Sequence, residues 1–191
     1  AKQNETDRLT TTDPEIDRVL GGGIVKGSLV LLSGEPGIGK STMVAAIAGS
    51  ITGGVLYISG EESPTQLAAR FDRLKKNTDA VRFLEPYPVE TLVATIEKEA
   101  PVLAVIDSVQ TLTSCELDST AGTPTLVRYA TSLLLDLAKR TNVSILLVGQ
   151  VTKDGLIAGP KTLEHLVDVV VNLEGDPVHS YRMLRAAKNR F

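Results

Sequence analysis

The sequence has 191 residues, of which 42% are hydrophobic and 23% charged, as is typical of one soluble globular domain. Its net charge of −3 excludes an overall basic field that would attract nucleic acid, although a local basic patch is still allowed. A single cysteine excludes an internal disulfide and a cysteine-cluster metal site, and it favours a reducing, cytoplasmic compartment. No apolar run approaches the roughly 20 residues that cross a bilayer, so no membrane partner is expected.

The N-terminal part of the chain is polar before a helical pattern begins. Residues 1–12 are rich in threonine, and we interpret them as a tail or linker remnant that precedes a domain over 13–191. A short helix is predicted from residue 13, because apolar residues then recur at helical spacing. Gly21–Gly23 end this helix. The three glycines allow a flexible joint, a close backbone approach or a simple helix end, and the sequence does not choose among these.

Residues 34–42 fit the phosphate-loop pattern GxxxxGK[ST], and they follow a predicted strand and precede a predicted helix. Glycines let the backbone N–H groups of such a loop surround phosphate oxygens, and the helix start adds partial positive charge. Lys40 is expected to reach the β- and γ-phosphates of ATP, and Ser41 to ligate Mg²⁺. The predicted binding residues for ATP or ADP are Gly34, Glu35, Pro36, Gly37, Ile38, Gly39, Lys40, Ser41 and Thr42.

The rest of the chain alternates apolar runs of strand length with helical patterns. Ser63, Pro64 and Gln66 have the residue types of a helix N-terminus at the N-cap, N1 and N3 positions. The alternation predicts an α/β fold, with a mostly parallel sheet that is covered by helices on both faces. The last two predicted strands, over 167–173 and 181–187, have no helix between them, so we expect an antiparallel hairpin at the C-terminal edge.

Candidate catalytic groups follow three of the predicted strands, at the edge where open α/β sheets bind ligands. Asp107 ends the run 103–107 in the form of a Walker B strand, whose carboxylate holds the hydrated Mg²⁺. Glu61 and Glu62 follow the strand over 55–59, where one carboxylate can deprotonate the attacking water; the alternative is an acidic helix start. We choose Glu61 as the base. Gln150 can contact the γ-phosphate or the water, or it can simply cap its strand.

The pieces together resemble the RecA-like P-loop NTPase core of the RadA/Sms family of bacterial recombination and repair proteins. The resemblance covers about residues 12–191. It is carried by the stretches 20–28, 34–42, 57–63, 106–112, 148–155, 157–160, 163–168 and 188–191. The last of these, KNRF, resembles the start of the family signature KNRFG, and it is the most specific part of the match. Many members of the family have His where this chain has Gln150.

The resemblance implies a motor that couples ATP hydrolysis to branch migration. Family members form hexameric rings on single-stranded or branched DNA, and they work with other recombination proteins. They also carry an N-terminal zinc module and a C-terminal Lon-like domain, neither of which is present in this sequence, so we expect an excised ATPase core. The resemblance places two loops, over 113–124 and 152–162, toward the ring pore, where Lys153 and Lys161 are the candidate DNA contacts.

The same resemblance makes one or both of Lys188 and Arg190 a finger that reaches the γ-phosphate of the next subunit. Strand periodicity puts the two on one face. The alternative is a basic edge strand that resists aggregation. Two other functions stay open, a KaiC-like nucleotide-gated regulatory ATPase and a P-loop small-molecule kinase. The KNRF end and the IAGP loop favour the recombination ATPase, and no arginine-rich acceptor lid of a kinase is present.

Overall fold

The computed structural model describes residues 7–151, 160–176 and 178–191. The strands are β1 (Arg8–Leu9), β2 (Ile24–Val25), β3 (Leu29–Gly34), β4 (Val55–Ser59), β5 (Val81–Leu84), β6 (Leu103–Asp107), β7 (Ser144–Gln150), β8 (Val169–Gly175) and β9 (Arg182–Asn189). The helices are α1 (Pro14–Val19), α2 (Lys40–Ala48), α3 (Pro64–Arg73), α4 (Val89–Glu99) and α5 (Pro124–Thr141). Short 3₁₀ turns lie at Val109–Thr111 and Pro160–Thr162.

The main sheet of the described residues has seven strands in the order β5-β4-β6-β7-β3-β8-β9. Neighbouring strands from β5 to β8 run parallel, whereas β9 pairs with β8 in the antiparallel sense. Parallel neighbours require crossover connections, which the intervening helices supply. The predicted α/β fold and its C-terminal antiparallel hairpin are therefore confirmed.

The core lies on both faces of this sheet. Along β3, Leu29 and Leu31 pack with the helices α4 and α5, whereas Val30 and Leu32 pack with α2 and α3. Successive strand residues point to opposite faces, so a strand covered on both sides needs apolar residues at every position. This explains why the strand sequences read as continuous apolar runs rather than as alternating patterns.

The capping signal before α3 is confirmed in atomic detail. The Ser63 hydroxyl accepts a hydrogen bond of 3.2 Å from the Gln66 N–H, and the Gln66 side chain accepts one of 2.8 Å from the Ser63 N–H. Pro64 occupies the first turn, where it has no N–H to leave unpaired. The start of α3 places Glu61 and Glu62 directly after the carboxyl end of β4.

The prediction of a tail over 1–12 is wrong for residues 8 and 9, which form β1 and pair with β2. Leu9 is buried, and a β-carbon on Gly23 would lie 2.4 Å from the Leu9 carbonyl oxygen. Of the readings left open for the three glycines, the close backbone approach therefore applies at Gly23. Two paired residues are too short for a periodic pattern, which is why the sequence did not reveal this strand. Residues 1–6 lie outside the described residues.

Among the helices that the structure describes, none has both the length and the apolar character needed to cross a bilayer.

Candidate nucleotide-binding and hydrolysis site

The sheet order brings the carboxyl ends of four strands together. In the parallel register Gly34, at the end of β3, is paired with Gln150 at the end of β7. Asp107, at the end of β6, is paired with Ser59 on β4 and with Val148 on β7. The phosphate loop, the Walker B carboxylate and the residues after β4 therefore share one edge of the sheet, as the sequence predicts.

Lys40 binds backbone groups of its own phosphate loop. Its ammonium donates to the carbonyl oxygens of Gly34 at 2.8 Å and of Glu35 at 2.7 Å. Burial lowers the pKa of Lys40, while the nearby carboxylates of Asp107 and Glu61 act in the opposite direction. The ammonium is thus held in the loop beside the first turn of α2, where a phosphate group can replace the two carbonyl oxygens as its partner.

Asp107 is 2% exposed, and this burial raises the pKa of its carboxyl group. A hydrogen bond from Ser41 lowers that pKa, whereas the charges of Glu61 and Glu62 raise it further. A hydroxyl and a carboxylate oxygen side by side fit Mg²⁺, which takes one or two protein oxygens and completes its shell with waters and substrate phosphates. No cluster of three or more His, Cys, Asp or Glu side chains that could hold a metal occurs in the described residues. With two protein oxygens, the pair of Ser41 and Asp107 suits a metal that arrives with a nucleotide.

Glu61 and Gln150, which the sequence proposes as base and sensor, are in contact. The Gln150 side-chain amide donates to Glu61 Oε1 at 2.6 Å, and the Ser108 hydroxyl donates to the same oxygen at 3.3 Å. Gln110 holds the Gln150 backbone, because its side-chain amide donates to the Gln150 carbonyl and accepts from the Gln150 N–H, each at 3.3 Å. The amide and the carboxylate are thereby oriented toward each other at the edge beside Asp107.

Glu62 has a different partner from its neighbour. Arg70 binds it with two hydrogen bonds, at 2.6 Å to Oε1 and 3.2 Å to Oε2, and also donates to the Thr42 hydroxyl at 2.6 Å. The hydrogen bond to Glu62 raises the pKa of the Arg70 guanidinium. A carboxylate held by both oxygens is a poor proton acceptor, so the geometry favours Glu61 as the base. Arg70 instead ties α3 to α2.

Lys188 and Arg190 contact a segment of their own chain. Lys188 donates to the carbonyl oxygens of Glu164 and Val167, both at 2.8 Å, and Arg190 forms an ion pair of 3.1 Å with Asp168. Both side chains therefore contact the segment over 164–168. The predicted contact with the phosphate of another subunit would require them to exchange these partners.

Asp168 is a buried anchor that the sequence did not single out. Its carboxylate is inaccessible to solvent, and it accepts from the Leu29 N–H at 2.9 Å and from Lys139 at 2.8 Å, besides its contact with Arg190. The three donors offset the free-energy cost of burying the Asp168 charge. If one donor is lost, the other two still contact the carboxylate. Arg190 consequently has a structural role in this chain, whatever else it does.

Of the two candidate DNA contacts, Lys153 lies outside the described residues. Lys161 is exposed in the turn Pro160–Thr162, and it borders a cavity of about 740 Å³ together with Gly34 and Glu35. The loop over 113–123 is held at its start, where Glu90 accepts from the Cys115 N–H at 3.2 Å. Lys161 therefore lines the same cavity as the first two residues of the phosphate loop.

Four polar residues at this edge of the sheet were not predicted from the sequence as site residues: Arg70, Ser108, Gln110 and Arg182. Of these, only Arg70 could have been found from the sequence. It follows the N-cap Ser63 by about two helical turns, so it lies on the same face of α3 as that N-cap. Ser108 and Gln110 follow Asp107 without any periodic pattern. Arg182 lies far along the chain from the phosphate loop, and only the β8–β9 hairpin returns it there.

Comparisons with known proteins agree with this geometry. A family model described as AAA domain matches residues 1–156. The chain is 46% identical to DNA repair protein RadA of Aquifex aeolicus over 100% of its length, which is 43% of that protein. It is 45% identical to DNA repair protein RadA of Bacillus subtilis over 98% of its length and 42% of that protein. The corresponding protein of Mycobacterium tuberculosis is 47% identical over 93% of this chain, which is 38% of that protein.

The chain spans about two fifths of the length of these curated relatives. The similarity therefore concerns the ATPase core that the fold contains, and the resemblance stated from the sequence is confirmed at that level. By its family-model match and its fold, the chain belongs to the AAA domain family, with a RecA-type core similar to that of bacterial RadA proteins.

Proposed function

We propose that this chain is the ATP-hydrolysing core of a DNA recombination and repair motor. The observation that carries the proposal is the contact between Glu61 and Gln150, which lies at the sheet edge shared by the phosphate loop and Asp107. The similarity to proteins named DNA repair protein RadA supports the biological role. The substrate is ATP and the products are ADP and phosphate.

Each residue of the site has one task in this proposal. The N–H groups of the loop and Lys40 bind the phosphates, and Ser41 with Asp107 would hold Mg²⁺. When bound between these two side chains, Mg²⁺ would neutralise negative charge on the phosphates. Glu61 accepts a proton from the attacking water, and the Gln150 amide orients that carboxylate and the water. Because Gln150 ends β7, a change in its position after hydrolysis would carry the nucleotide state into the residues that follow β7.

The finer features of the proposal come from the family resemblance. They are a hexameric ring, binding of single-stranded or branched DNA in its pore, branch migration with helicase-like movement, and contact with other recombination proteins. Lys153 and Lys161 are the proposed DNA contacts, because the resemblance places the segment over 152–162 toward the ring pore. Lys188 and Arg190 are proposed to complete the site of the adjacent subunit.

The decisive experiment measures phosphate release from ATP and Mg²⁺ with and without single-stranded DNA, with the Lys40→Ala variant as the background control. We expect turnover well above that background and stimulation by single-stranded DNA over duplex DNA. Turnover equal to the control would overturn the ATPase assignment. Transfer of the phosphate to an added small-molecule acceptor would support the kinase instead. Hydrolysis that DNA leaves unchanged in assembled rings would support a regulatory ATPase.

A further inference from the structure

Arg182, the first residue of β9, lies against the phosphate loop. A β-carbon on Gly39 would be 2.9 Å from Arg182 Nη1, so the guanidinium covers the residue that precedes α2. Gly39 has φ of 109°, a backbone conformation that residues with a side chain rarely adopt. Arg182 is therefore part of the same local structure as the loop, although 143 positions separate Gly39 from Arg182 in the sequence.

The guanidinium of Arg182 makes no hydrogen bond or ion pair with any residue in the described parts of the chain. Arg185, three positions further along β9, instead pairs with Glu174 at 2.8 Å. Lys40, the other cation of the loop, is occupied by two carbonyl oxygens. Arg182 thus provides an uncommitted positive charge beside a loop whose N–H groups are arranged for phosphate.

A cavity of about 500 Å³ begins at Arg182 and Gly39 and continues along α2. Its walls include Ile16 and Val19 of α1 and Met43 of α2, and its volume is within the range of small-molecule sites. Asp13, Glu15 and Arg18 are the other charged residues at its border. The Asp13 carboxylate already accepts from the backbone N–H groups of Glu15 and Ile16.

The position of the cavity defines which end of a nucleotide it can receive. Gly39 and Thr42 line it, whereas the described lining does not include Ser41, Asp107 or Glu61. The hydrolytic groups and the cavity therefore lie on different sides of the first turn of α2. A triphosphate with its γ-phosphate at Glu61 would direct its α-phosphate and nucleoside toward Arg182.

We propose that Arg182 is a nucleotide-binding residue that acts within its own chain. Its guanidinium binds the α-phosphate of ATP or ADP, and the cavity beside it receives the ribose and base. This inference rests on the proposed function and deepens it, because it assigns the nucleoside end of the site. Arg182 does not touch the transferred phosphate, so it contributes to affinity and not to the chemical step.

The test compares Mg²⁺–ADP binding by titration calorimetry for the wild type, Arg182→Ala, Arg182→Lys and the control Arg185→Ala. We expect Arg182→Ala to weaken ADP binding about tenfold or more, as for loss of a charge-assisted contact. Arg182→Lys should recover part of this affinity, and Arg185→Ala should stay within about twofold of wild type. In steady-state kinetics the loss in Arg182→Ala should appear in KM for ATP more than in kcat. Equal melting temperatures would show that all variants are folded.

A second variant tests the cavity. Ala46 lines it on α2, and Ala46→Phe would fill part of the space. This variant should weaken ADP binding while inorganic pyrophosphate binds as in the wild type. Equal effects on ADP and pyrophosphate would overturn the assignment of the cavity to the nucleoside.

The outcomes separate this inference from the proposed function. If the wild type binds no ADP, both fail. If the wild type binds ADP and Lys40→Ala does not, but Arg182→Ala behaves like Arg185→Ala, only the role of Arg182 is overturned. A loss of kcat with unchanged ADP affinity would also overturn it, because Arg182 would then act on the transition state.

Discussion

The side-chain amide of Gln150 donates a hydrogen bond of 2.6 Å to Glu61 Oε1. The two residues belong to β7 and to the loop after β4, and β6 lies between these strands in the sheet. The contact therefore passes over the end of β6, where Asp107 stands. It places the proposed proton acceptor, an amide donor and the proposed metal-binding carboxylate at one edge, which is the arrangement that hydrolysis of a γ-phosphate requires.

The first prediction distinguishes Glu61 from Glu62. Glu61→Gln keeps the shape of the side chain but removes the proton acceptor, so ATP should still bind while kcat falls about 10²-fold or more. Glu62→Gln should lower kcat much less, because that carboxylate is held by Arg70. Single-turnover kinetics with bound ATP measure both effects. A larger loss in Glu62→Gln would show that the choice between the neighbours is wrong.

The second prediction concerns the phosphate loop. Lys40→Ala removes the cation that the loop holds between the Gly34 and Glu35 carbonyl oxygens. Turnover should be abolished and ATP affinity strongly reduced, as measured by phosphate release and by titration of a fluorescent ATP analogue. Lys26→Ala, which breaks only an exposed ion pair with Asp7, is the matched control. Hydrolysis by Lys40→Ala within a few-fold of wild type would contradict the role of this loop.

The third prediction tests Lys188 and Arg190 across a subunit interface. A Lys188→Ala, Arg190→Ala double variant should be inactive alone, because a transition-state cation contributes about 10³-fold or more in related reactions. Mixed with Lys40→Ala protein, it should recover part of the activity, since some interfaces then join an intact loop to intact basic residues. Phosphate release from rings that exchange subunits measures the recovery.

The control for that experiment is Lys139→Ala. This change removes a different cation from the same buried Asp168, so it should lower the melting temperature without abolishing hydrolysis. Loss of activity in both variants would indicate that the Asp168 network, rather than a contact in trans, is required. Absence of recovery in mixed rings would lead to the same conclusion.

The fourth prediction concerns Tyr57, which is fully buried between Phe71 and Phe83. Its hydroxyl has no hydrogen-bond partner among the described residues, and burial raises its pKa. Tyr57→Phe keeps the ring and removes the unpaired group, so the free energy of unfolding should rise by about 1 kcal/mol. Urea denaturation measures the change. The control Tyr129→Phe deletes a hydroxyl that donates to Glu90 at 3.1 Å and should destabilise instead; destabilisation by Tyr57→Phe would refute the prediction.

The fifth prediction concerns the pH dependence of stability. Burial alone would raise the pKa of Glu90, but hydrogen bonds from Ser114, the Cys115 N–H and Tyr129 outweigh it and hold the pKa at about 2. A carboxyl group with a depressed pKa in the folded state stabilises the protein above its ordinary pKa. The contribution of Glu90 is therefore complete above about pH 4.5 and is lost as the pH falls toward 2.

The variant Glu90→Gln tests the direction of this pH dependence. It should lower the melting temperature by about 2–4 °C at pH 7, the usual effect of one net hydrogen bond in a domain of this size. The difference from wild type should shrink as the pH falls from about 4.5 to 2. A difference that is independent of pH over this range would show that Glu90 acts by shape rather than by charge.

Local patterns in the sequence determined much of this protein. The phosphate loop depends on fixed spacing between neighbours, the capping residues before α3 act on groups within three positions, and the β8–β9 hairpin follows from two strands with no helix between them. The position of Asp107 at the end of β6 follows from an apolar run. These features could be predicted because the interacting groups are close along the chain, where the periods of helix and strand apply.

Only the tertiary structure decided how the remaining residues are paired. The strand order β4-β6-β7 brings Gln150 into contact with Glu61. The packing of α3 places Arg70 against Glu62, and the β8–β9 hairpin places Arg182 beside Gly39. Gln150 and Glu61, and likewise Arg182 and Gly39, are separated by long stretches of chain whose length carries no information about distance in space. Helical spacing places Arg70 on the same face of α3 as its N-cap, but it does not say which of the two glutamates Arg70 binds. Adjacent glutamates look equivalent in the sequence, and they differ here because the packing of whole elements gives each carboxylate a different donor.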